Sequence, residues 1–290
     1  LVACGLPENM LNIVVGIPAK TIVDQLVSYP GLDLVSFTGS VQVGKYIAAK
    51  MANNGNGLKK YMPELGGNAS FVVMDDCDID LAANVALGAY ANSGQRCTAI
   101  RKIMLHDSIA DDFLQRFVEL AGQIKYGDPM DPNVDMGTVI SSEQAEVIQL
   151  RIENAVRDVA RVLLGNERDG ALLAPTIVDY VSHNSELVVE ETFGPVASIM
   201  RIHNIEDAIS LIKASPFRLA GSIATSNRDI AERLHNSIHV GQFSWNGPPG
   251  YRTEEAPFGG FGDSGNGEKE GVIMMTRAMR RLRTFYEHRR

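Results

Sequence analysis

Residues 34–45 read LVSFTGSVQVGK, and this stretch decides the fold. The apolar run Leu34–Phe37 is typical of a short strand, and it leads directly into the turn Thr38-Gly39-Ser40. A helical pattern follows from about Val41 into Asn53-Asn54-Gly55. A strand that passes through a glycine turn into a helix predicts a βα unit of a parallel sheet.

The same alternation of strand and helix patterns continues on both sides of this unit. It predicts an α/β fold, because such alternation is typical of a parallel sheet covered by helices. The predicted strands are Leu11–Val15, Ser70–Met74, Arg101–Leu105, Val196–Ile202, Leu219–Thr225 and His239–Ser244. The predicted helices are Ala19–Ser28, Ile79–Asn92, Ala110–Ile124, Glu143–Ala160, Ile205–Ala214 and Arg228–Asn236.

The composition favours a globular protein of about two domains. The chain has 290 residues, of which 45% are hydrophobic, so a packed core is expected. A net charge of −8 disfavours a nucleic-acid partner, and no apolar run long enough for a membrane span or a secretory signal is seen. Three cysteines do not form a disulfide framework, so a reducing cytoplasm is the expected location.

The last 14 residues contain six arginines, at positions 277, 280, 281, 283, 289 and 290. A basic arm for nucleic acid is one interpretation of this cluster. A solvated or oligomer-edge segment is favoured instead, because no series of aromatic residues accompanies the charges.

The residues from Gly39 to Tyr46 nearly match the phosphate-binding pattern of nucleotide hydrolases. Tyr46 stands where that pattern requires a small hydroxyl for Mg²⁺, so ATP hydrolysis is disfavoured. Backbone N–H groups at the start of the predicted helix still attract phosphate, and a simple tight turn is the alternative interpretation.

Two further segments contain residues suited to chemistry. Glu64 precedes two glycines that permit close backbone approach, and Cys97 follows Arg96 in the run Ser93-Gly94-Gln95-Arg96-Cys97-Thr98. A thiol beside an arginine is favoured as thiolate, although most cysteines are simply small buried residues. No spacing of His, Cys or acidic residues predicts a metal site or a Cys–His pair.

Five short motifs occur in a fixed order along nearly the whole chain. They are Phe37-Thr38-Gly39-Ser40 with Gly44, Glu64-Leu65-Gly66-Gly67, Gly94-Gln95-Arg96-Cys97, Glu191-Thr192-Phe193-Gly194-Pro195, and Pro257-Phe258-Gly259-Gly260 with Ser264, Gly265 and Gly267. In this order and spacing they resemble the NAD(P)-dependent aldehyde dehydrogenase superfamily. The resemblance implies the end of a Rossmann-type cofactor domain (1–64), an α/β catalytic domain (65–271) and a C-terminal oligomerisation segment (272–290).

The resemblance also implies roles for individual residues in oxidising an aldehyde to a carboxylate with NAD or NADP. Cys97 would be the nucleophile that forms a thiohemiacetal and then a thioester, and its backbone N–H would supply half of the oxyanion hole. Glu64 would activate the water that hydrolyses the thioester, and its presence disfavours transfer to coenzyme A. Six residues would bind the cofactor: Gly39, Ser40 and Gly44 at its phosphates, and Leu65, Glu191 and Phe193 around its nicotinamide riboside.

Two arginines suggest the class of substrate. Arg96 and Arg252, the latter in Pro248-Pro249-Gly250-Tyr251-Arg252, resemble the branch that contains phosphonoacetaldehyde dehydrogenase and non-phosphorylating glyceraldehyde-3-phosphate dehydrogenase. Guanidinium groups bind phosphate and phosphonate oxygens in pairs, so an aldehyde with an anionic head group is expected, with phosphonoacetaldehyde as the leading candidate. The alternative is an unselective enzyme in which Arg96 pairs with a structural acid and Arg252 faces solvent.

The beginning of the chain leads to a further expectation. The first residue is Leu1, and similar enzymes carry an upstream portion with the residues that choose between NAD and NADP and complete the oxyanion hole. We therefore expect these 290 residues alone to lack useful dehydrogenase activity, and a non-catalytic relative is the second class of function. A homo-oligomer is expected, with Leu282–Tyr286 as a candidate intersubunit strand.

Overall fold

A computed structural model describes residues 1–53 and 57–288 and divides into two compact units, Leu1–Pro63 and Glu64–Arg290. Among the residues described, none of the helices combines the length and the apolar composition needed to cross a bilayer. The expected helix end at Asn53-Asn54-Gly55 falls partly outside the described residues, as do Arg289 and Arg290.

In its described residues, the first unit contains two α-helices, a short 3₁₀ helix (Val2–Cys4) and a two-stranded sheet. Its elements are α1 (Ala19–Ser28), β1 (Leu34–Thr38), α2 (Val41–Asn53) and β2 (Lys60–Glu64), with β1 beside β2. Val27 of α1 and Ile47 and Met51 of α2 form its small buried core. The glycine turn between β1 and α2 is therefore present as expected.

The second unit is built on a seven-stranded sheet. Its helices are α3 (Ile79–Ala86), α4 (Ala110–Ala121), α5 (Ser142–Asp158), α6 (Glu186–Val189), α7 (Ile205–Lys213), α8 (Arg228–Ser237) and α9 (Val272–Ala278). Its strands are β3 (Ala69–Val73), β4 (Ile100–His106), β5 (Arg161–Leu164), β6 (Arg168–Asp169), β7 (Leu172–Leu173), β8 (Thr176–Asp179), β9 (Val196–Ile202), β10 (Phe217–Arg218), β11 (Ala220–Ala224), β12 (Gln242–Trp245) and β13 (Phe261–Gly262). The sheet order is β12-β11-β3-β4-β9-β8-β5, and every neighbouring pair is parallel except β5 with β8.

Helices cover both faces of this sheet, as a parallel sheet with two apolar faces requires. On one face, α3 and α4 pack on residues such as Phe71 and Ile103. On the other, α5, α7 and α8 pack on residues such as Val72 and Met104. The predicted α/β class is confirmed by this arrangement.

The local sequence explains where these helices begin. The side chain of Asp78 accepts the backbone N–H of Leu81 before α3, and Ser141 accepts that of Gln144 before α5. Asn204 accepts the N–H groups of Glu206 and Asp207 before α7. Such caps satisfy N–H groups that a helix start leaves without a partner.

Two predicted elements are wrong in ways that have a physical reason. Leu11–Val15 is not a strand: its side chains are exposed, and no strand pairs with it among the described residues. An apolar run forms a strand only where a neighbour takes up its backbone hydrogen bonds. The helix expected over Ile79–Asn92 ends at Ala86. A 3₁₀ helix (Leu87–Ala89) follows it, and the backbone of Asn92 has a left-handed conformation that an α-helix cannot include.

Candidate active site

The candidate catalytic residues lie in loops that precede three adjacent strands. Gly66 and Gly67 lead into β3, Cys97 leads into β4, and Glu191 leads into β9. Because β3, β4 and β9 are parallel neighbours, these loops meet at one edge of the sheet. The site is therefore at the amino ends of the strands, opposite to the edge where open α/β sheets usually bind ligands.

The loop before Cys97 has a strained backbone. Asn92, Ser93 and Gly94 have φ angles of 54°, 55° and 67°, a left-handed run that L residues with side chains rarely adopt. A Cβ on Gly94 would overlap the carbonyl oxygen of Gly194, so only glycine fits there. Backbone strain of this kind is typical of functional sites held by their surroundings.

Hydrogen bonds to a neighbouring segment hold this loop in place. The Ser93 hydroxyl donates to the Gly137 carbonyl at 2.9 Å, and the Gln95 amide donates to the Thr138 carbonyl at 3.2 Å. The Gln95 side-chain oxygen also accepts the backbone N–H of Ile140 at 2.8 Å. These bonds offset the strain and fix the position of the following cysteine.

Cys97 is half-buried among apolar groups and faces two carboxylates. Its side chain packs on a small cluster formed by Ala69, Leu219, Ala220 and Phe258. Burial raises the pKa of its thiol, and Glu191 and Glu64 raise that pKa further, while backbone N–H groups of Cys97 and Thr98 lower it. The carboxylates therefore lie near enough to the sulfur to influence its charge.

Glu64 is a buried carboxyl group with an altered pKa. The residue is 6% exposed, and no partner for its Oε2 is found among the described residues. Burial raises its pKa from 4.5 to about 8, and Glu270 raises it too, against the lowering effect of Lys269 and Arg252. A carboxyl group with a pKa near neutrality is suited to act as a general base.

Gly66 and Gly67 allow the loops to approach closely. The backbone N–H of Gly67 donates to Glu191 Oε1 at 2.9 Å. A Cβ on Gly67 would overlap the Cys97 carbonyl oxygen, and a Cβ on Gly66 would overlap the Glu191 carboxylate. Glycine is therefore required at position 67, whereas a side chain at position 66 would displace the Glu191 carboxylate.

Sequence reasoning missed one residue at the centre of this site, Arg101. Its side chain is 1% exposed and contacts both the Cys97 loop and the Glu191 loop. The available signal was the pair Arg101-Lys102 within the apolar strand Ile100–His106, because charged residues are rarely buried without a functional or structural partner.

The two arginines proposed for substrate binding have different surroundings. Arg96 is exposed and lines a cavity of about 570 Å³, together with Thr98 and Tyr251. Among the residues that the structure describes, no carboxylate forms an ion pair with Arg96. Arg252 lies 3.6 Å from a carboxylate oxygen of Glu270 and above the Phe258 ring at 4.5 Å.

The residues proposed for the cofactor phosphates lie in the first unit. Gly39 and Ser40 form the turn between β1 and α2, and the Ser40 hydroxyl accepts the backbone N–H of Val43 at 3.4 Å. Gly44 is buried in α2, and its carbonyl accepts the Tyr61 hydroxyl at 2.9 Å. Tyr46 donates its hydroxyl to Asp24, so it does not take the place of the small hydroxyl in a nucleotide hydrolase.

Comparisons with known proteins point to one family. A family model described as "Aldehyde dehydrogenase family" matches residues 1–284. Sulfoacetaldehyde dehydrogenase of Neptuniibacter caesariensis is 36% identical over 97% of this chain and 60% of its own length. NADP-dependent glyceraldehyde-3-phosphate dehydrogenase of Streptococcus equinus is 33% identical over 95% of this chain and 56% of its own length.

A solved structure extends the similarity to three dimensions. NADP-dependent glyceraldehyde-3-phosphate dehydrogenase from Bacillus halodurans C-125, complexed with NADP, matches with a TM-score of 0.92 and 35% identity. The match covers 97% of this chain and 58% of that one. The chain thus spans less than two thirds of the length of the relatives that it matches.

Proposed function

This chain belongs to the aldehyde dehydrogenase family, and from that premise we propose that its residues oxidise an aldehyde to a carboxylate with NAD or NADP. The observation that carries the proposal is the meeting of Cys97, Glu64 and Glu191 at one sheet edge, close enough for both carboxylates to raise the thiol pKa. A nucleophile with a base of suitable pKa nearby is the arrangement that covalent catalysis requires.

The donor set of the site fits the nicotinamide half of a dinucleotide. Glu191 binds the Gly67 N–H through Oε1, and no hydrogen bond to its Oε2 is found in the described part of the chain, so this oxygen is free to accept ribose hydroxyls. The Leu65 carbonyl and the Phe193 ring would hold the nicotinamide, and Gly39, Ser40 and Gly44 the phosphates. When bound, NAD(P)⁺ supplies the hydride acceptor for the oxidation.

In the first half of the proposed reaction, a bond forms between Cys97 Sγ and the aldehyde carbon. The sulfur attacks as thiolate, the carbonyl electrons move onto oxygen, and the backbone N–H of Cys97 stabilises the resulting oxyanion. Loss of hydride from that carbon leaves an acyl group on Cys97 as a thioester.

In the second half, water cleaves the thioester. Glu64 takes one proton from the water as it attacks, the carbon–sulfur bond breaks, and Cys97 regains its thiolate; the carboxylic acid that forms gives its proton to solvent and leaves as the carboxylate. The base works only when it is deprotonated, so hydrolysis should quicken as pH rises through about 8, the pKa of Glu64. The steady-state rate of NAD(P)H formation, where hydrolysis is the slow step, measures this pH dependence.

The substrate is an aldehyde with an anionic head group. Arg96 supports this, since it precedes Cys97, lines a cavity together with Thr98 and Tyr251, and has no carboxylate partner among the described residues. One relative is named as a sulfoacetaldehyde dehydrogenase, and sulfoacetaldehyde is an anionic aldehyde. Phosphonoacetaldehyde is an anionic aldehyde as well. Arg252 contributes through its charge near Glu64, with Glu270 as its partner when no substrate is bound.

The domain limits 1–64, 65–271 and 272–290 and the homo-oligomer belong to the same proposal. Leu282, Phe285 and Tyr286 are 99%, 88% and 77% exposed, and an apolar segment of this kind favours a contact with another copy. Chemical crosslinking followed by mass spectrometry, with this segment removed as the control, tests it; crosslinked dimers that form equally well without the segment would contradict it.

The test of the function measures one activity and compares two variants. NAD(P)H formation from an anionic aldehyde is measured in a longer form of this chain that carries the upstream portion its relatives have; no NAD(P)H from any aldehyde tested would contradict the proposal. In the longer form, Arg96→Ala and Arg252→Ala should lower kcat/KM for phosphonoacetaldehyde more than for propanal. An equal loss for both substrates would contradict the head-group assignment.

A further inference from the structure

Arg101 is a fully buried cation placed between two catalytic loops. The residue lies on β4 next to Ile100, is 1% exposed, and reaches back towards the loop that precedes its own strand. Burial of a guanidinium is costly unless hydrogen bonds and opposite charges offset the loss of water.

Two hydrogen bonds from Arg101 join the loops directly. One guanidinium nitrogen donates to the carbonyl of Arg96 at 3.0 Å, and the other donates to the carbonyl of Gly194 at 3.2 Å. The guanidinium carbon also lies 5.3 Å from the centre of the Phe193 ring. The guanidinium of Arg101 thus contacts Arg96 in the nucleophile loop and both Phe193 and Gly194 in the Glu191 loop.

The charge of Arg101 interacts with two groups of the site, Glu191 and Cys97. No carboxylate forms an ion pair with it among residues 1–53 and 57–288, and its Nε has no hydrogen-bond partner there. Burial lowers its pKa to about 10, while Glu191 and Cys97 raise that pKa. Because electrostatic interaction is mutual, the charge of Arg101 favours the charged forms of Glu191 and Cys97, and it opposes the burial and the carboxylates that raise the Cys97 pKa.

We propose that Arg101 is a positioning residue that fixes the Cys97 loop against the Glu191 loop and stabilises the negative charge of the Cys97 thiolate. The proposal rests on the proposed function, because it assigns the guanidinium to the nucleophile of that reaction. It also accounts for a buried arginine in a strand where Ile100, Ile103 and Leu105 are apolar and buried.

The next residue along the strand supplies a matched control. Lys102 is 2% exposed, and its side chain alternates to the opposite face of the sheet. Burial lowers its pKa to about 8, and no charged group adds to that shift. Lys102→Met therefore removes a buried cation from the same strand without removing one from the site.

The test measures the pH profile of Cys97 alkylation by iodoacetamide, followed by peptide mass spectrometry. Arg101→Gln removes the charge but keeps an amide donor, and it should raise the midpoint of the profile by about 1 unit. Alkylation at a fixed pH below both midpoints would then be about tenfold slower. Arg101→Lys should return the midpoint towards that of the unsubstituted chain, and Lys102→Met should leave it in place.

Two results would overturn the proposal: a profile of Arg101→Gln that coincides with that of the unsubstituted chain, or an equal shift in Lys102→Met. If Arg101→Gln does not fold, ¹⁵N NMR of the unsubstituted chain takes its place. The Arg101 Nε signal, identified by its loss in Arg101→Lys, should titrate with the midpoint of Cys97 alkylation and stop titrating once Cys97 is alkylated. A signal that does not follow Cys97 refutes the proposal.

These measurements need neither aldehyde nor dinucleotide, so they separate two kinds of failure. Absence of an aldehyde-derived adduct on Cys97 would end the proposed function and leave the alkylation profiles unaffected. An alkylation profile that Arg101→Gln does not shift, together with an aldehyde-derived adduct on Cys97, would refute only the role proposed for Arg101.

Discussion

Replacing Glu64 by glutamine should change how the stability of the protein depends on pH. The unfolded chain loses the Glu64 proton near pH 4.5, whereas the folded chain holds it until about pH 8, because burial and Glu270 raise the pKa. Between these values the folded state binds more protons than the unfolded state. The contribution of Glu64 to stability is therefore complete below pH 4.5 and is lost as the pH rises through about 8.

The size of the effect follows from one proton. A difference of one bound proton changes the free energy of unfolding by about 1.4 kcal/mol per pH unit. Integrated from pH 6 to pH 8 with a folded pKa of about 8, the unsubstituted chain should lose on the order of 2 kcal/mol relative to Glu64→Gln. Glutamine has nearly the shape of glutamate and no charge, so it isolates the ionisation.

Urea unfolding followed by circular dichroism at several pH values measures this difference. Glu254→Gln, which changes an exposed carboxylate of the same unit, is the matched control and should follow the unsubstituted chain. The free energy of unfolding of Glu64→Gln minus that of the unsubstituted chain should increase as the pH rises from 6 to 8. A value that stays constant or decreases would refute the reasoning.

Three further predictions concern the loops around the sulfur. Gly67→Ala places a Cβ on the Cys97 carbonyl oxygen, a backbone atom, and should lower the free energy of unfolding by about 1–3 kcal/mol in chemical denaturation; an unchanged midpoint would contradict this. Gly66→Ala meets only the end of the Glu191 side chain, so it should keep its stability and weaken NAD(P)H binding in a fluorescence titration, and unchanged binding would contradict the role of Glu191. Cys77, whose pKa burial raises to about 11, should be alkylated more slowly than Cys97 near pH 8 in peptide mass spectrometry, and the reverse order would contradict the assigned environments.

The sequence was sufficient for the parts of the fold that depend on local pattern. Val196–Ile202 and Ala19–Ser28 have the predicted bounds, because a mostly apolar run after a Gly-Pro turn and an amphipathic pattern each specify one element. The wrong strand at Leu11–Val15 has an equally apolar pattern. The difference is a neighbouring strand, which a local pattern does not reveal.

The site was predictable in its residue types but not in its energetics. Cys97 and Glu64 stand out through the motifs that carry them. The pKa of Glu64 depends on burial and on Glu270, which is distant in the sequence, and only the fold brings the two together. The hydrogen bonds of Arg101 to backbone carbonyl groups could not be predicted from the sequence either, because every residue type has a backbone carbonyl.

The central claim is that an acyl group is carried on Cys97 and released by water that Glu64 activates. Intact-mass and peptide mass spectrometry of Glu64→Gln in the longer form, with an anionic aldehyde and NAD(P)⁺, test it most directly. The account predicts a thioester that accumulates on Cys97 in the variant, turns over in the unsubstituted protein and is absent from Cys97→Ser. No adduct on Cys97, or one that is released equally fast with and without the Glu64 carboxyl group, would contradict it.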